Sequence, residues 1–204
     1  MDIYQIFLTH NRPWSAGELV CFGIVAVIAA TILGRCVRYK KIKKTQAVSI
    51  FGLLVFLGIV FGSTVFTREP TVRRYELVPF WSWREVIASH DWQLLQENLL
   101  NCILLFPMGM LLPLAFDRRV RVRNSFIAGF AVSAVIELCQ LVFMRGLFEW
   151  DDMIHNGLGC MAGSLFMNKL IEKYDNPDKG DKEYPELHRN RKKDDMEEIP
   201  TDDV

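Results

Sequence analysis

The run TQAVSIFGLLVFLGIVFGSTVFT, residues 45–67, contains 23 residues and no charged side chain. An α-helix needs about 20 apolar residues to cross the hydrocarbon core of a bilayer, because each residue advances it by about 1.5 Å. A soluble amphipathic helix of this length would place charged residues on its wet face every turn or two. The run therefore predicts a membrane-spanning helix.

Four further runs have the same character. Residues 19–34 and 98–116 contain no charge, residues 124–144 contain only Glu137, and residues 153–168 extend to Ile171 if Lys169 reaches the head groups. We therefore predict an all-α, polytopic membrane protein with a transmembrane domain of residues 1–171. Its five transmembrane helices are expected over about residues 17–35, 45–67, 98–116, 124–144 and 153–171.

The formal charge of zero hides two regions of opposite sign. Residues 172–204 carry 7 Lys/Arg and 12 Asp/Glu, which leaves 17 basic and 12 acidic residues in the rest of the chain. The acidic segment lacks hydrophobic periodicity, and we predict that it is a disordered cytoplasmic tail. The neutral overall balance argues against a nucleic-acid-binding protein.

Basic residues concentrate in two short connections between predicted spans. The first connection has six and the third has four: Arg35, Arg38, Lys40, Lys41, Lys43 and Lys44, then Arg118, Arg119, Arg121 and Arg123. Cytoplasmic loops collect Lys and Arg, so both connections are expected inside the cell. With five spans, the N-terminus then lies outside and the C-terminus in the cytoplasm.

The long connection between the second and third spans is rich in aromatic residues. Phe80, Trp81, Trp83 and Trp92 lie where aromatic belts meet the outer membrane interface, and Ser82 with Glu85 has capping-box spacing. This pattern predicts an interfacial or re-entrant amphipathic element on the outer leaflet. The alternative is an ordinary loop whose aromatic side chains pack on the helix bundle.

Polar residues of three predicted spans reach the same outer third of the membrane. Each of these spans carries polar residues at helical spacing, and the link between the fourth and fifth spans carries one cation. The residues are Asn98 and Asn101 on the third span, Ser133, Glu137 and Gln140 on the fourth, Asp151, Asp152 and Asn156 at the start of the fifth, and Arg145 in the link. Polar groups inside a membrane are costly and default to functional or helix-bridging roles. The pattern predicts a polar pocket with the Trp-rich segment as a lid. A carboxylate at the depth of Glu137 is expected either to be protonated or to pair with a group such as Arg145.

Structural roles compete with this hypothesis. Asp151 and Asp152 could complement the N-terminal dipole of a helix, Asn98 could bridge helices, and Gly159 with Gly163 could permit close packing. His155 lies one turn from both aspartates, but no second histidine falls in a span and no HExxH spacing occurs. We expect no metal and no cofactor.

Four short motifs, in order along residues 77–163, resemble those of the VanZ-like family. They are Leu77-Val78-Pro79-Phe80; Asn98-x-x-Asn101 followed by Phe106-Pro107-x-Gly109; Glu137-x-x-Gln140; and Arg145-x-x-Phe148-x-x-Asp151-Asp152-x-x-x-Asn156-x-x-Gly159. Glu76 and Glu149 stand where the family commonly has Asn and Asp. The family is named for a membrane protein associated with teicoplanin resistance, so the resemblance implies an envelope role at the bacterial cytoplasmic membrane. It implies no reaction.

Three functions remain open at this point. The first is binding of a membrane lipid, a lipid-linked envelope precursor or a lipoglycopeptide by Asn98, Asn101, Glu137, Gln140, Arg145, Asp151, Asp152 and Asn156, which would lower glycopeptide susceptibility. The second is an intramembrane enzyme with Glu137 as general acid and Asp152 as base. The third is an assembly partner without a ligand. The sequence does not determine the oligomeric state.

Overall fold

A computed structural model describes residues 12–70 and 72–175, and it is mostly helical. Its helices are α1 (Ala16–Arg38), α2 (Lys44–Phe61) continued by a π-helical turn (Gly62–Phe66), α3 (Trp81–Ser89), α4 (Trp92–Leu104), α5 (Phe106–Phe116), α6 (Val122–Phe143) and α7 (Trp150–Asp175). Two short strands are β1 (Arg74–Glu76) and β2 (Leu147–Glu149). The sequence analysis did not predict these strands.

Within residues 12–70 and 72–175, four segments are long and apolar enough to cross a membrane: Ala16–Arg38, Lys44–Phe66, Trp92–Phe116 and Val122–Phe143. They match the first four predicted spans. The third begins at Trp92 rather than near residue 98, because helix α4 starts before the charge-free run does. The prediction of a helical membrane protein is therefore confirmed. The fifth predicted span lies in α7, which has 26 residues but is not among these four segments.

The residues fall into two compact units that divide after Asn168. The described part of the second unit, residues 169–175, is the last part of α7. The helix thus continues past residue 171, where the tail was predicted to begin. Residues 176–204 of that tail lie outside the described residues.

Helix α1 has a well-capped start and an exposed surface. Ser15 and Glu18 form a capping box, and Arg12 pairs with Glu18. No residue of α1 is buried, and apolar side chains such as Val27, which is 66% exposed, cover its outside. Such a surface is suited to lipid rather than to water.

The core lies between α2, α5, α6 and α7. Its buried apolar side chains are Val60, Val65, Leu105, Met108, Leu112, Ile136 and Cys160. Small residues let the helices approach closely, as in many membrane bundles. A Cβ at Gly159 would overlap the carbonyl of Cys102, and one at Gly163 would overlap that of Phe106.

The two basic connections meet at one end of the bundle. Lys43, before α2, forms an ion pair of 2.5 Å with Asp117, after α5. Asn168 of α7 exchanges two hydrogen bonds with the backbone of Val120, at 2.8 and 3.2 Å, in the α5–α6 connection. Asp151, about 26 Å earlier along α7, therefore lies toward the opposite end.

At that opposite end, β1 and β2 form a parallel pair, with Tyr75 opposite Phe148 and Glu76 opposite Glu149. The predicted amphipathic element corresponds to α3, which follows β1. Its N-cap is Phe80 in the left-handed conformation (φ 60°, ψ 23°), and no side chain of the segment caps it. The predicted Ser82–Glu85 capping box is therefore wrong, because Ser82 has already entered the helix.

Candidate functional site

Helix α7 begins with four polar residues, Asp151, Asp152, His155 and Asn156, of which three are buried and Asp152 is half-buried. Residues three and four apart share a helix face, so these side chains point to one side. This spacing directs them toward α3, α4 and α6.

Asp151 holds the start of α3. Its carboxylate accepts hydrogen bonds from the backbone N–H of Phe80 (2.5 Å) and Ser82 (3.1 Å) and from Ser82 Oγ (2.5 Å). A carboxylate at a helix N-terminus satisfies otherwise unpaired N–H groups and favours the helix dipole. Asp151 was predicted as a ligand-binding residue. In the structure its carboxylate oxygens accept hydrogen bonds from α3 and so position the Trp-rich segment.

Asp152 and Asn156 connect three helices. Asn101 Nδ2 of α4 donates to Asp152 Oδ1 at 2.5 Å, and Asn156 Nδ2 donates to Ser133 Oγ of α6 at 2.9 Å. Ser133 Oγ donates in turn to the backbone carbonyl of Asp152 at 3.4 Å. The convergence of α4, α6 and α7 predicted from the sequence is present in these contacts.

The two predicted residues of α6 have different surroundings. Glu137 is 3% exposed, and its Oε2 accepts a hydrogen bond from the backbone N–H of Glu149 at 3.1 Å. Gln140 Nε2 donates to the carbonyl of Thr64 at 3.0 Å, in the π-helical turn. Gln140 therefore joins α6 to the end of α2.

The predicted pair of Glu137 with Arg145 is wrong. Arg145 Nη1 donates to the carbonyls of Val65 (3.3 Å), Arg68 (3.0 Å) and Phe66. These carbonyls lie at or just after the end of the π-helical turn, where the last carbonyls of a helix lack partners within the helix and attract a cation. Ion pairs do form elsewhere in the protein, between Arg12 and Glu18 and between Lys43 and Asp117.

Arg68 is the cation that the sequence analysis missed. The positive charge of Arg68 interacts electrostatically with the carboxyl groups of both Glu137 and Asp152. Its guanidinium passes close to Gly146, where a Cβ would lie 2.9 Å from Arg68 Nη1 and 3.2 Å from Gln140 Oε1. Arg68 lies in the loop after the second span, so no helical spacing linked it to the polar stripes.

His155 contacts the Trp-rich segment. Trp83 Nε1 donates to His155 Nε2 at 2.7 Å, and the two rings meet edge to face with centroids 5.7 Å apart. Because Nε2 accepts, the proton of a neutral imidazole sits on Nδ1. The sequence analysis discussed His155 as a possible metal ligand. No sequence pattern predicted its contact with α3.

We call Asn98, Asn101, Ser133, Glu137, Glu149, Asp152, His155 and Asn156 the polar cluster. Several of its buried atoms have no hydrogen-bond partner within the described residues: Asn98 Nδ2, Glu149 Oε1, His155 Nδ1 and Asn156 Oδ1. Native proteins leave few buried polar groups unpaired, since each costs about 1–3 kcal/mol. Their concentration in one region marks it as a candidate binding site.

Glu149 lies in β2, outside the spanning segments, beside Trp81 and the carboxylate of Asp152. Burial, and next the negative charge of Asp152, raise the pKa of Glu149 to about 8 from an ordinary value of 4.5. Glu149 therefore keeps a proton at neutral pH for most of the time. It was noted in the sequence only as a departure from the motif.

A cavity of about 420 Å³ lies elsewhere, between α1 and α2. Trp14, Phe22, Gly58 and Phe61 are among the residues that line it, and none of its lining residues belongs to the polar cluster.

Comparison with known proteins gives one match. Residues 47–171 match the family model described as VanZ/LLP1. No curated protein and no solved structure matches the chain. The matched range covers more than half of the chain and includes every member of the polar cluster, and so this helical membrane protein belongs to the VanZ-like family.

Proposed function

We propose that the protein lowers bacterial susceptibility to teicoplanin-type glycopeptides by binding the head group of a membrane lipid or lipid-linked envelope precursor in the polar cluster. The observation that carries this proposal is the set of unpartnered buried atoms on Asn98, His155 and Asn156. A bound head group would supply the missing partners. The family name supports the link to teicoplanin.

The proposal places the cluster at the outer face of the bacterial cytoplasmic membrane. The ion pair between Lys43 and Asp117 supports this placement, because it joins the two basic connections at the end away from Asp151. Basic connections favour the cytoplasm.

We further propose that α7 is a fifth span, which puts the N-terminus outside and the C-terminus inside. The polar side chains of its first two turns are turned into the protein, whereas Leu158, Leu165 and Phe166 are exposed. A helix with this inverted arrangement presents an apolar surface to lipid.

Cysteine labelling tests this topology. In a cysteine-free background, single cysteines at Lys41 and Arg121 should resist an impermeant thiol reagent in intact cells, whereas one at Ser89 should react. Labelling at Lys41 would reverse the orientation and remove the outer-face site.

Resistance measured beside membrane abundance tests the binding function. Asn156→Leu removes both polar atoms of the side chain at similar volume, and we expect it to lose resistance while the protein still accumulates. Ser164→Ala is the matched control, because Ser164 Oγ is also buried and unpartnered but lies about 12 Å farther along α7. Full resistance of an abundant Asn156→Leu variant would refute the proposal.

An enzyme that modifies a lipid-linked precursor is the second candidate. It is favoured by the electrostatic interaction of Glu137 with Asp152, two carboxylates with different hydrogen-bond partners. Such pairs can divide the roles of general acid and base. Incubation of the purified protein with envelope lipids should then change the mass of one lipid, and Glu137→Gln should abolish that change.

A further inference from the structure

The charge balance of the polar cluster indicates which head group it suits. Three carboxylates belong to the cluster, those of Glu137, Glu149 and Asp152, and Arg68 is the cation that acts on two of them. The nearby Arg145 donates to backbone carbonyls instead. Three acidic side chains therefore lie around one arginine, with Glu149 protonated at neutral pH.

The hydrogen bonds leave much of this acceptor capacity unused. A carboxylate offers about four acceptor positions. Within the described residues, Glu137 accepts from the N–H of Glu149 and Asp152 accepts from Asn101 Nδ2. Glu149 Oε1 lies beside the indole N–H of Trp81 without a well-formed hydrogen bond to it. Asp151 differs, because three donors of α3 already occupy it.

A second observation points to a ligand independently of the carboxylates. Asn156 is 4% exposed, its Nδ2 is bonded to Ser133, and its Oδ1 remains a buried acceptor without a donor. Asp152 and Asn156 lie one turn apart on α7. The unused acceptors therefore come from both charged and neutral side chains.

We infer that the polar cluster binds a lipid whose head group carries a protonated primary amine. This inference rests on the binding function proposed above. A primary ammonium has three N–H donors and no acceptor, so it complements the unused carboxylate and amide oxygens, and the phosphate of the same lipid is an acceptor for the unpartnered donors Asn98 Nδ2 and His155 Nδ1. A head group with only a phosphate would bring no donor to the acidic side chains, and a trimethylammonium group would bring charge without N–H donors.

The same inference predicts how binding depends on pH. Glu149 is protonated at neutral pH because its pKa is about 8, with Glu97, Glu137, Asp151 and Asp152 as the acidic groups around it. A bound ammonium favours the ionised carboxylate, so binding should release a proton. Affinity for an amine lipid should therefore rise between pH 6 and pH 8, where the amine itself stays charged.

Lipid retention by the full-length protein tests the inference. The protein is purified from vesicles that contain equal amounts of phosphatidylethanolamine, phosphatidylglycerol and phosphatidylcholine, and bound lipids are counted by native mass spectrometry. We expect phosphatidylethanolamine to be retained about tenfold over the other two. Glu149→Gln and Glu137→Gln should reduce that preference, and Ser164→Ala should keep it.

The outcomes separate this inference from the proposed function. Equal retention of the three lipids, or a preference for phosphatidylglycerol, would overturn the amine inference even if Asn156→Leu loses resistance. Retention of phosphatidylethanolamine that Glu149→Gln and Glu137→Gln leave unchanged would also overturn it, since the lipid would then bind elsewhere. A cluster-dependent amine preference without any effect on resistance would support the amine site and refute the resistance function.

Discussion

Helices α1 and α7 have similar lengths but opposite relations to the rest of the protein. α1 has 23 residues and buries none of them, whereas α7 has 26 residues and buries nine, among them Asp151, His155 and Asn156. Average hydropathy identifies α1 as a span and does not identify α7. The difference teaches that average hydropathy separates helices by composition alone, because the average ignores which side of the helix each residue faces.

The largest expected difference between the two helices concerns their glycines. Gly159→Ala places a Cβ on the backbone carbonyl of Cys102, so we expect a loss of about 3 kcal/mol or more of folding free energy. Gly23 of α1 has no atom within 4 Å of such a Cβ, and Gly23→Ala should be neutral or slightly stabilising. Thermal unfolding in detergent measures both, and equal effects would show that α7 packs no more closely than α1.

The second test compares the acidic residues that start the two helices. Asp151→Asn weakens three hydrogen bonds to α3, and we expect a loss of about 2–3 kcal/mol and faster trypsin cleavage after Arg84. Glu18→Gln in α1 removes the exposed pair with Arg12, so its effect should be smaller. Unchanged cleavage in Asp151→Asn would mean that α3 does not depend on α7.

Two arginines near the start of α7 provide the third test. Arg145→Gln removes donors from the carbonyls that end the π-helical turn, and we expect a loss of about 2 kcal/mol in thermal stability. Arg68→Gln should affect stability less, because Arg68 acts on Glu137 and Asp152 through charge. If both variants lose the same stability, the division between a structural and an electrostatic arginine is wrong.

The last test concerns how stability depends on pH rather than its value at one pH. The pKa of Glu149 is about 8 in the folded protein and 4.5 in the unfolded chain. Between these pH values the folded protein holds a proton that the unfolded chain has already released. Stability should therefore fall as pH rises from about 5 to 8, and Glu149→Gln should flatten this fall. Glu85→Gln, at an exposed position of α3, should leave the curve unchanged.

The helices of this protein were largely predictable, since charge-free runs of 16 or more residues have few alternatives. The meeting of Asn101, Asp152 and Asn156 was also predictable from helical spacing and depth. The partners of Arg145 were not, because they are backbone carbonyls, which every residue has. The roles of Arg68 and Glu149 depend on a loop and a strand pair whose positions no periodic pattern indicates.

The parallel pair of β1 and β2 and the cap on α3 have a consequence for the order in which the protein matures. Asp151 is synthesised 71 residues after Phe80, whose N–H it accepts, and β2 follows β1 by a similar interval. During synthesis α3 therefore emerges without its cap and can gain it only after Asp151 has been made. The polar cluster is likewise completed only by α7, so a nascent chain interrupted before residue 151 contains the four spanning segments but lacks Asp152, His155 and Asn156.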